Sequence, residues 1–149
     1  MTENKTISVG FLVFPSFPMA CLTSMIEPFR AAIEAGAMTV MASFSSWQGE
    51  KCHANKYLLT DILKGEMQFN GFVLSDMQGI DYVSEDFYEA VAQSVNAGID
   101  MFMMPENWQL FIEHLTNHVE LGSVSINRIN NAVRRILTVK FAYGLFDSP

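Results

Sequence analysis

The 149-residue sequence has little cysteine, few basic residues and no long apolar run. Its two cysteines, Cys21 and Cys52, lie far apart without a CxxC pair, so neither a disulfide framework nor a zinc site is indicated. Nine basic against sixteen acidic residues give a formal charge of −7, which repels phosphate backbones and anionic membrane surfaces. The sequence therefore predicts no nucleic-acid partner.

The sequence pattern also predicts neither a membrane helix nor a signal peptide. Pro15 and Pro18 divide the most apolar stretch, so no run approaches the roughly 20 residues of a membrane helix. Glu3 beside Lys5 and the early proline argue against a signal peptide. We therefore expect no membrane partner and a reduced, cytoplasmic location.

The histidines do not form a metal-binding pattern. His114 and His118 lie four apart on a predicted helix, but no HExxH motif or third ligand accompanies them. His53 stands in a polar segment next to Lys51. We expect all three histidines to be solvated, and we expect no metal and no cofactor.

Half of the residues are hydrophobic, which is enough to build one compact core, and the apolar segments alternate in type. The periodicity, together with Pro and Gly at segment ends, predicts four strands, at 7–14, 38–44, 71–75 and 99–104. It also predicts helices over 19–35, where Pro28 should kink or split the run, and over 56–66, 84–97, 107–121 and 125–143. This order predicts a single α/β domain over 1–149 with parallel strands, either a small flavodoxin-like doubly wound sheet or a partial (β/α)8 barrel.

A carboxylate, Asp76, follows the apolar run of the third predicted strand. The carboxyl ends of parallel strands carry the functional loops of such folds, so Asp76 lies where polar chemistry is presented. An Asp-containing turn that merely ends the strand is the simpler interpretation. Asp100 lies near the start of the next strand, where a structural role is expected.

Two long stretches carry a family resemblance. "AGAMTVMASFSSWQGEKCHANKYLLTDILKGEMQFNGFVLSD" and "RINNAVRRILTVKFAYGLFDSP" resemble the last part of the barrel domain of glycoside hydrolase family 3, the retaining β-glucosidases and exo-β-glucanases, over about 29–149. The resemblance implies a small β-glucoside or gluco-oligosaccharide as substrate. It also implies that Asp76, in the position of the family's Ser-Asp-Trp motif, is the nucleophile.

The sugar site departs from the family pattern at two positions. Met77 stands where a Trp usually follows the nucleophile, and Phe44 stands where a Tyr is common, whereas Trp47 keeps its family position. The resemblance implies substrate contacts for these three residues, although packing explains them equally well. No residue matches the family's acid/base, so we expect little or no turnover of an unactivated disaccharide.

The first segment resembles something else. "TISVGFLVFPSFPMACLTSMIEPFRAA" is similar to the first strand and helix of the amidotransferase-like, flavodoxin-fold domain of AraC-type regulators, over 5–32. Residues 33–149 would then be a partial hydrolase barrel joined to it in a chimera. The alternative to a hydrolase is a non-catalytic scaffold of flavodoxin-like or half-barrel form. A half-barrel would expose edge strands to a second copy of the chain, so a homodimer through these edges is expected.

Overall fold

The computed structural model describes residues 19–147, with side chains described from Glu27 onward. The predicted strand at 7–14 and the side chain of Cys21 lie outside these described residues. Helix α1 (Met19–Glu34) is followed by strand β1 (Thr39–Met41), the short strands β2 (Ser46–Trp47) and β3 (Glu50–Lys51), and a π-helix (Tyr57–Glu66). Next come β4 (Phe72–Leu74), a 3-10 helix (Gly79–Tyr82), α2 (Phe87–Ala97), α3 (Trp108–Glu120) and α4 (Ile126–Ala142).

The central sheet is parallel, as the alternating pattern predicted. Strand β1 pairs with β4 in the register Thr39↔Phe72, Val40↔Val73 and Met41↔Leu74. On the other side of β4, Leu74 forms a parallel bridge with Met101. The described part of the chain is therefore an α/β fold with parallel strands, whose carboxyl ends share one edge.

The predicted strand over 99–104 is wrong in extent, because only the bridge at Met101 forms. Side chains replace the backbone groups of a regular ladder on either side of that bridge. The Val73 N–H donates to Asp100 Oδ2 at 2.8 Å, and the Met103 N–H donates to Ser75 Oγ at 2.8 Å. Each of these bonds takes the place of an interstrand backbone bond, so the strand pattern is lost beyond Met101.

Most helices begin and end close to the residues predicted from the sequence. Gly36, Gly98 and Gly122 follow helices α1, α2 and α3 with positive φ, the backbone conformation that favours glycine. Ser125 caps α4 by accepting a hydrogen bond from the Arg128 N–H at 3.1 Å. Pro28 does not split α1, which continues from Met19 to Glu34.

Two local predictions are wrong. Helix α2 does not begin at Ser84 but at Phe87, because Asp86 is its N-cap and accepts a hydrogen bond from the Tyr88 N–H at 2.9 Å. The polar segment after β1, for which no strand is predicted, contains the hairpin β2–β3, with Ser46 opposite Lys51. Gln48 and Gly49 form its two-residue turn with φ of 50° and 86°, the conformation of a type I′ turn.

The core lies between the sheet and the helices. Its main cluster joins Val73 on β4 to buried apolar residues of the π-helix, of the loop after it and of the end of α2 with the next segment, namely Leu59, Leu63, Phe69, Ala97 and Ile99. Phe102 packs against this cluster and against two smaller ones beneath α2, α3 and α4. In the described range, no helix is both long and apolar enough to span a membrane.

An ionic network lies at the amino end of the sheet. The Asp100 side chain is completely buried and pairs with Lys64 Nζ at 2.8 Å and with Arg128 Nη2 at 2.7 Å. Burial lowers the pKa of Lys64 to about 8, against the opposing charge of Asp100. The structural role expected for Asp100 is confirmed, since its carboxylate ties β4 to the π-helix and to α4.

Candidate functional site

Asp76 lies two residues beyond the end of β4, in a turn held by several backbone hydrogen bonds. The Met77 N–H donates to Asp76 Oδ1 at 2.7 Å, and the Gly79 N–H donates to the Asp76 carbonyl at 3.0 Å. Gln78 takes the left-handed conformation with φ 52°, and its N–H reaches the Met103 carbonyl at 2.9 Å. The half-buried carboxylate is thus presented at the carboxyl edge of the sheet, where loops of parallel folds carry function.

His53 lies beneath this turn and is only 1% exposed, so the expectation of a solvated surface histidine is wrong. Its Nε2 accepts a hydrogen bond from the Asp76 backbone N–H at 3.0 Å. The ring also packs closely against Gly79, where an added Cβ would lie 2.3 Å from Nε2. Sequence reasoning missed this contact because 23 positions separate His53 from Asp76.

The electrostatics of His53 agree with the acceptor role of Nε2. Burial lowers the pKa of His53 below its usual value. The Asp76 carboxylate opposes this shift, and the Lys51 ammonium adds to it. His53 is therefore neutral at pH 7, and a neutral ring that accepts at Nε2 carries its proton on Nδ1.

Aromatic rings line one side of the same edge. Phe44 meets His53 edge to face at a centroid distance of 6.0 Å and Tyr82 at 5.4 Å. Phe44 remains 40% exposed and Met77 57% exposed, so both present apolar surface at this edge, Phe44 against the His53 ring and Met77 next to Asp76 in the chain. We call Phe44, His53, Asp76, Met77 and Tyr82 the strand-end site. Tyr82 was not predicted, although its place six residues after Asp76 keeps it in the same loop.

Trp47, the remaining predicted contact residue, belongs to the hairpin. Its indole stacks on Tyr57 with centroids 5.8 Å apart and planes inclined by 16°. Within residues 19–147, no hydrogen bond or ring contact links Trp47 to Asp76. The structure thus brings Asp76, Met77 and Phe44 together at one edge and places Trp47 against the π-helix instead.

Asp81 and Glu106 form an acidic pair in the loops that follow β4 and Met101. Burial raises the pKa of Asp81, and the neighbouring carboxylate of Glu106 raises it further. Asp81 Oδ1 is buried and has no hydrogen-bond partner in the described part of the chain. Asp81 therefore holds a proton more readily than an ordinary aspartate does.

The helical histidines are not a solvated pair. His118 is 3% exposed, and its ring nitrogens lie 2.8 Å from Ser123 Oγ and 2.9 Å from the Tyr88 carbonyl. His114 is half-buried against the rings of Phe87 and Tyr88. No group of three or more metal-ligating side chains occurs among the described residues. The two histidines therefore pack α3 against α2.

A surface depression of about 710 Å³ lies along α2, next to residues of the hairpin segment and of the end of α3. Tyr88, Gln93, Asn96 and His118 are among the residues that line it, and Asp76 is not. Cys52 is half-buried, and burial raises the pKa of its thiol. Neither feature supplies a nucleophile, so the strand-end site remains the candidate for function.

Similarity to known proteins identifies the family of this chain. The chain belongs to glycosyl hydrolase family 3, since the model of that family's N terminal domain matches residues 19–139. The lysosomal beta glucosidase of Dictyostelium discoideum is 37% identical over 131 residues, which cover 83% of this chain and 16% of that protein. The family resemblance found in the sequence is confirmed, and the match extends it to include α1.

Solved structures agree with this assignment. The exo-1,3/1,4-beta-glucanase from a Pseudoalteromonas species is 42% identical, with a TM-score of 0.76 over 80% of this chain and 15% of that one. The beta-glucosidase from Listeria innocua, solved in complex with glucose, is 36% identical, with a TM-score of 0.75 over 81% of this chain and 17% of that one. The chain thus spans about a sixth of the length of these relatives.

Proposed function

We propose that this chain carries the nucleophile of a retaining hydrolase of β-linked glucosides, and that Asp76 is that nucleophile. The observation that carries the proposal is the position of Asp76 at the carboxyl end of β4, inside the stretch that the family model matches. Its relatives include a beta-glucosidase solved with glucose, and a mutant of that protein was solved with laminaribiose. We therefore propose a β-glucoside or a gluco-oligosaccharide as the substrate.

The chemistry needs a carboxylate in this setting. A retaining glycosidase attacks the anomeric carbon with one ionised carboxylate, while a second carboxyl about 5–5.5 Å away protonates the leaving oxygen. Asp76 Oδ1 accepts the Met77 N–H, whereas Oδ2 accepts no hydrogen bond from the described residues. Oδ2 is therefore the oxygen that we assign to the attack.

Phe44 and Met77 supply exposed apolar surface beside Asp76, against which the face of a pyranose can rest. We propose both as substrate contacts. We propose Trp47 as a substrate contact with less support, because its ring is already stacked on Tyr57.

The architecture proposed for this function is a segment of a (β/α)8 barrel rather than a doubly wound sheet. The support is the likeness to the two hydrolase structures over four-fifths of the chain. The similarity of 5–32 to a flavodoxin-like domain, and a chimeric origin, stay predictions, as does a cytoplasmic location. The non-catalytic scaffold is left as an outcome of the following test.

An activated 2-fluoro-glucoside tests the nucleophile directly. Its good leaving group departs without acid assistance, and the fluorine slows hydrolysis of the glycosyl-enzyme, so the covalent adduct accumulates. We expect intact-protein mass spectrometry to show one added glycosyl group, located on Asp76 by peptide mapping. Asp76→Asn removes the nucleophilic carboxylate and should abolish the adduct.

The matched control is Asp81→Asn, the same chemical change five residues along in the same loop. It should retain labelling on Asp76. Labelling elsewhere in the chain would disprove the assignment of Asp76. No labelling of a folded sample, judged by circular dichroism, would favour the scaffold alternative.

A further inference from the structure

We propose that His53 is a positioning residue for Asp76, holding the Asp76 peptide through an N–H to Nε2 hydrogen bond so that the carboxylate is presented at the sheet edge. This inference rests on the proposed role of Asp76 as nucleophile. It assigns no contact between His53 and substrate, because the imidazole is 1% exposed and lies beneath the turn.

Residues on both sides of the hydrogen bond between Asp76 and His53 hold it in place. On the side of the turn, the Asp76 N–H lies 3.0 Å from Nε2, and Gly79 leaves room for the ring because it has no Cβ. The Asp76 carbonyl is held in turn by the Gly79 N–H at 3.0 Å. Both peptide groups that flank the Asp76 side chain are therefore fixed, which restricts the direction of its Cα–Cβ bond.

The segment that carries His53 is equally well held. Asn55 is 2% exposed, and its side chain donates to Glu50 Oε2 at 2.7 Å and accepts the Leu58 N–H at 2.8 Å. The backbone N–H of Cys52 donates to the Ser45 carbonyl at 3.0 Å. These bonds join the hairpin to the π-helix, so the imidazole is a rigid support of the kind that a precise site requires.

The charge state of His53 decides whether the bond exists. Only a ring without a proton on Nε2 can accept the Asp76 N–H. The charged groups that act on the ring are the Asp76 carboxylate, which favours the imidazolium, and the Lys51 ammonium, which disfavours it together with burial. The neutral Nδ1–H tautomer follows, and it is observable through the nitrogen chemical shifts of the imidazole.

Two variants separate the hydrogen bond from the bulk of the ring. His53→Gln keeps an acceptor oxygen near the position of Nε2, whereas His53→Met fills similar volume without a strong acceptor. Loss of the acceptor leaves a buried donor unpaired, so in His53→Met we expect the Asp76 amide to exchange with solvent about tenfold faster or more. In His53→Gln the exchange should stay near that of the unmodified protein. The amide of Ser75, which donates to the Met101 carbonyl, serves as the internal reference.

Kinetics of labelling by the 2-fluoro-glucoside test the positioning itself. In His53→Met we expect the rate constant at saturating reagent to fall about tenfold or more, while the concentration for half-saturation changes little, because the orientation of Asp76 and not sugar binding is affected. His53→Gln should restore most of the rate. Gly79→Ala, whose Cβ would push the ring away from the turn, should lower the same rate constant.

His118→Met is the matched control, since His118 is also a buried histidine but its partners are Ser123 and Tyr88. It should leave both the Asp76 exchange rate and the labelling rate unchanged in a folded sample. A proton found on Nε2 of His53, or an Asp76 amide unaffected in His53→Met, would overturn the inference. If the unmodified protein is not labelled at all, the proposed role of Asp76 fails, and the tautomer and exchange data alone decide whether His53 holds the Asp76 peptide.

Discussion

At the scale of single residues, the site depends on a buried neutral histidine that supports a carboxylate. The imidazole of His53 packs against Gly79, which has no Cβ, so that the Asp76 N–H has a fully buried acceptor. An unpaired buried N–H would destabilise the turn by about 1–3 kcal/mol. The contact therefore avoids that cost at the Asp76 N–H and fixes the geometry of the proposed nucleophile, while Nδ1 of the same ring is buried without a hydrogen-bond partner among the described residues.

The pH dependence of stability should report on this histidine. Burial lowers the pKa of His53 in the folded protein below the 6.5 expected for the unfolded chain, so the unfolded state binds more protons as the pH falls through that range. The contribution of His53 to stability is fully present above pH 6.5 and is lost as the pH falls toward its folded pKa. We expect urea midpoints between pH 7 and pH 5 to decrease more steeply for the unmodified protein than for His53→Gln. Equal slopes for the two proteins would contradict the prediction.

At the scale of secondary-structure elements, one buried carboxylate organises the amino end of the sheet. Asp100 replaces a backbone acceptor for Val73 and neutralises two cations, one from the π-helix and one from α4. Arg128 also donates to the Ile99 carbonyl, so this end of the sheet is tied by side chains and not by a regular ladder. This explains why parallel pairing beyond β4 is limited to the bridge at Met101.

Asp100→Asn should be strongly destabilising. It removes the negative charge between Lys64 and Arg128 and turns an amide N–H₂ toward cationic donors, and breaking a buried ion pair costs about 3–5 kcal/mol. The pKa of Lys64, already lowered to about 8, should fall further. Urea denaturation measures the change in the free energy of unfolding.

Asp86→Asn is the control for this change, since it alters the same atoms at an exposed helix cap. Asn caps a helix about as well as Asp, so the free energy of unfolding should change little. A loss in Asp100→Asn no larger than in Asp86→Asn would mean that the network adds no stability to the fold.

At the scale of the whole molecule, several apolar side chains are left exposed on the described surface. Met41 on β1 is 54% exposed, and α4 with the residues after it presents an apolar face made up of Val133, Leu137, Phe141, Leu145 and Phe146. Exposed strand edges and apolar faces favour pairing with another chain. The homodimer through sheet edges therefore stays a prediction.

Sedimentation equilibrium at micromolar concentration tests this prediction. We expect the mass of a dimer for the unmodified chain and a shift toward monomer for Met41→Lys, because β1 is an outer strand of the described sheet and a lysine on such a strand opposes pairing. Ile112→Lys is the control, since Ile112 is similarly exposed, at 53%, but lies on α3. A monomeric mass for the unmodified chain would disprove dimerisation through the sheet.

Local chemistry was enough to predict much of this molecule. The helix ends at Gly36, Gly98 and Gly122 follow from the backbone freedom of glycine, and the parallel sheet follows from alternating segments joined by crossovers. The position of Asp76 at a strand end, and the family to which the chain belongs, could be predicted from contiguous residues. Each of these features depends on neighbours in the sequence, so one sequence contains the necessary information.

Tertiary structure alone decided the features that depend on distant partners. The burial of His53 and His118 contradicts their polar sequence surroundings, because their hydrogen-bond partners Asp76 and Tyr88 lie 23 and 30 positions away. The shortened strand around Met101 likewise results from carboxylate and hydroxyl side chains that replace backbone acceptors across the sheet. The sequence by itself thus determined the alternation of the main helices and strands and the position of Asp76 after a strand. Packing over long sequence distances decided which side chains are desolvated and what holds that carboxylate in place.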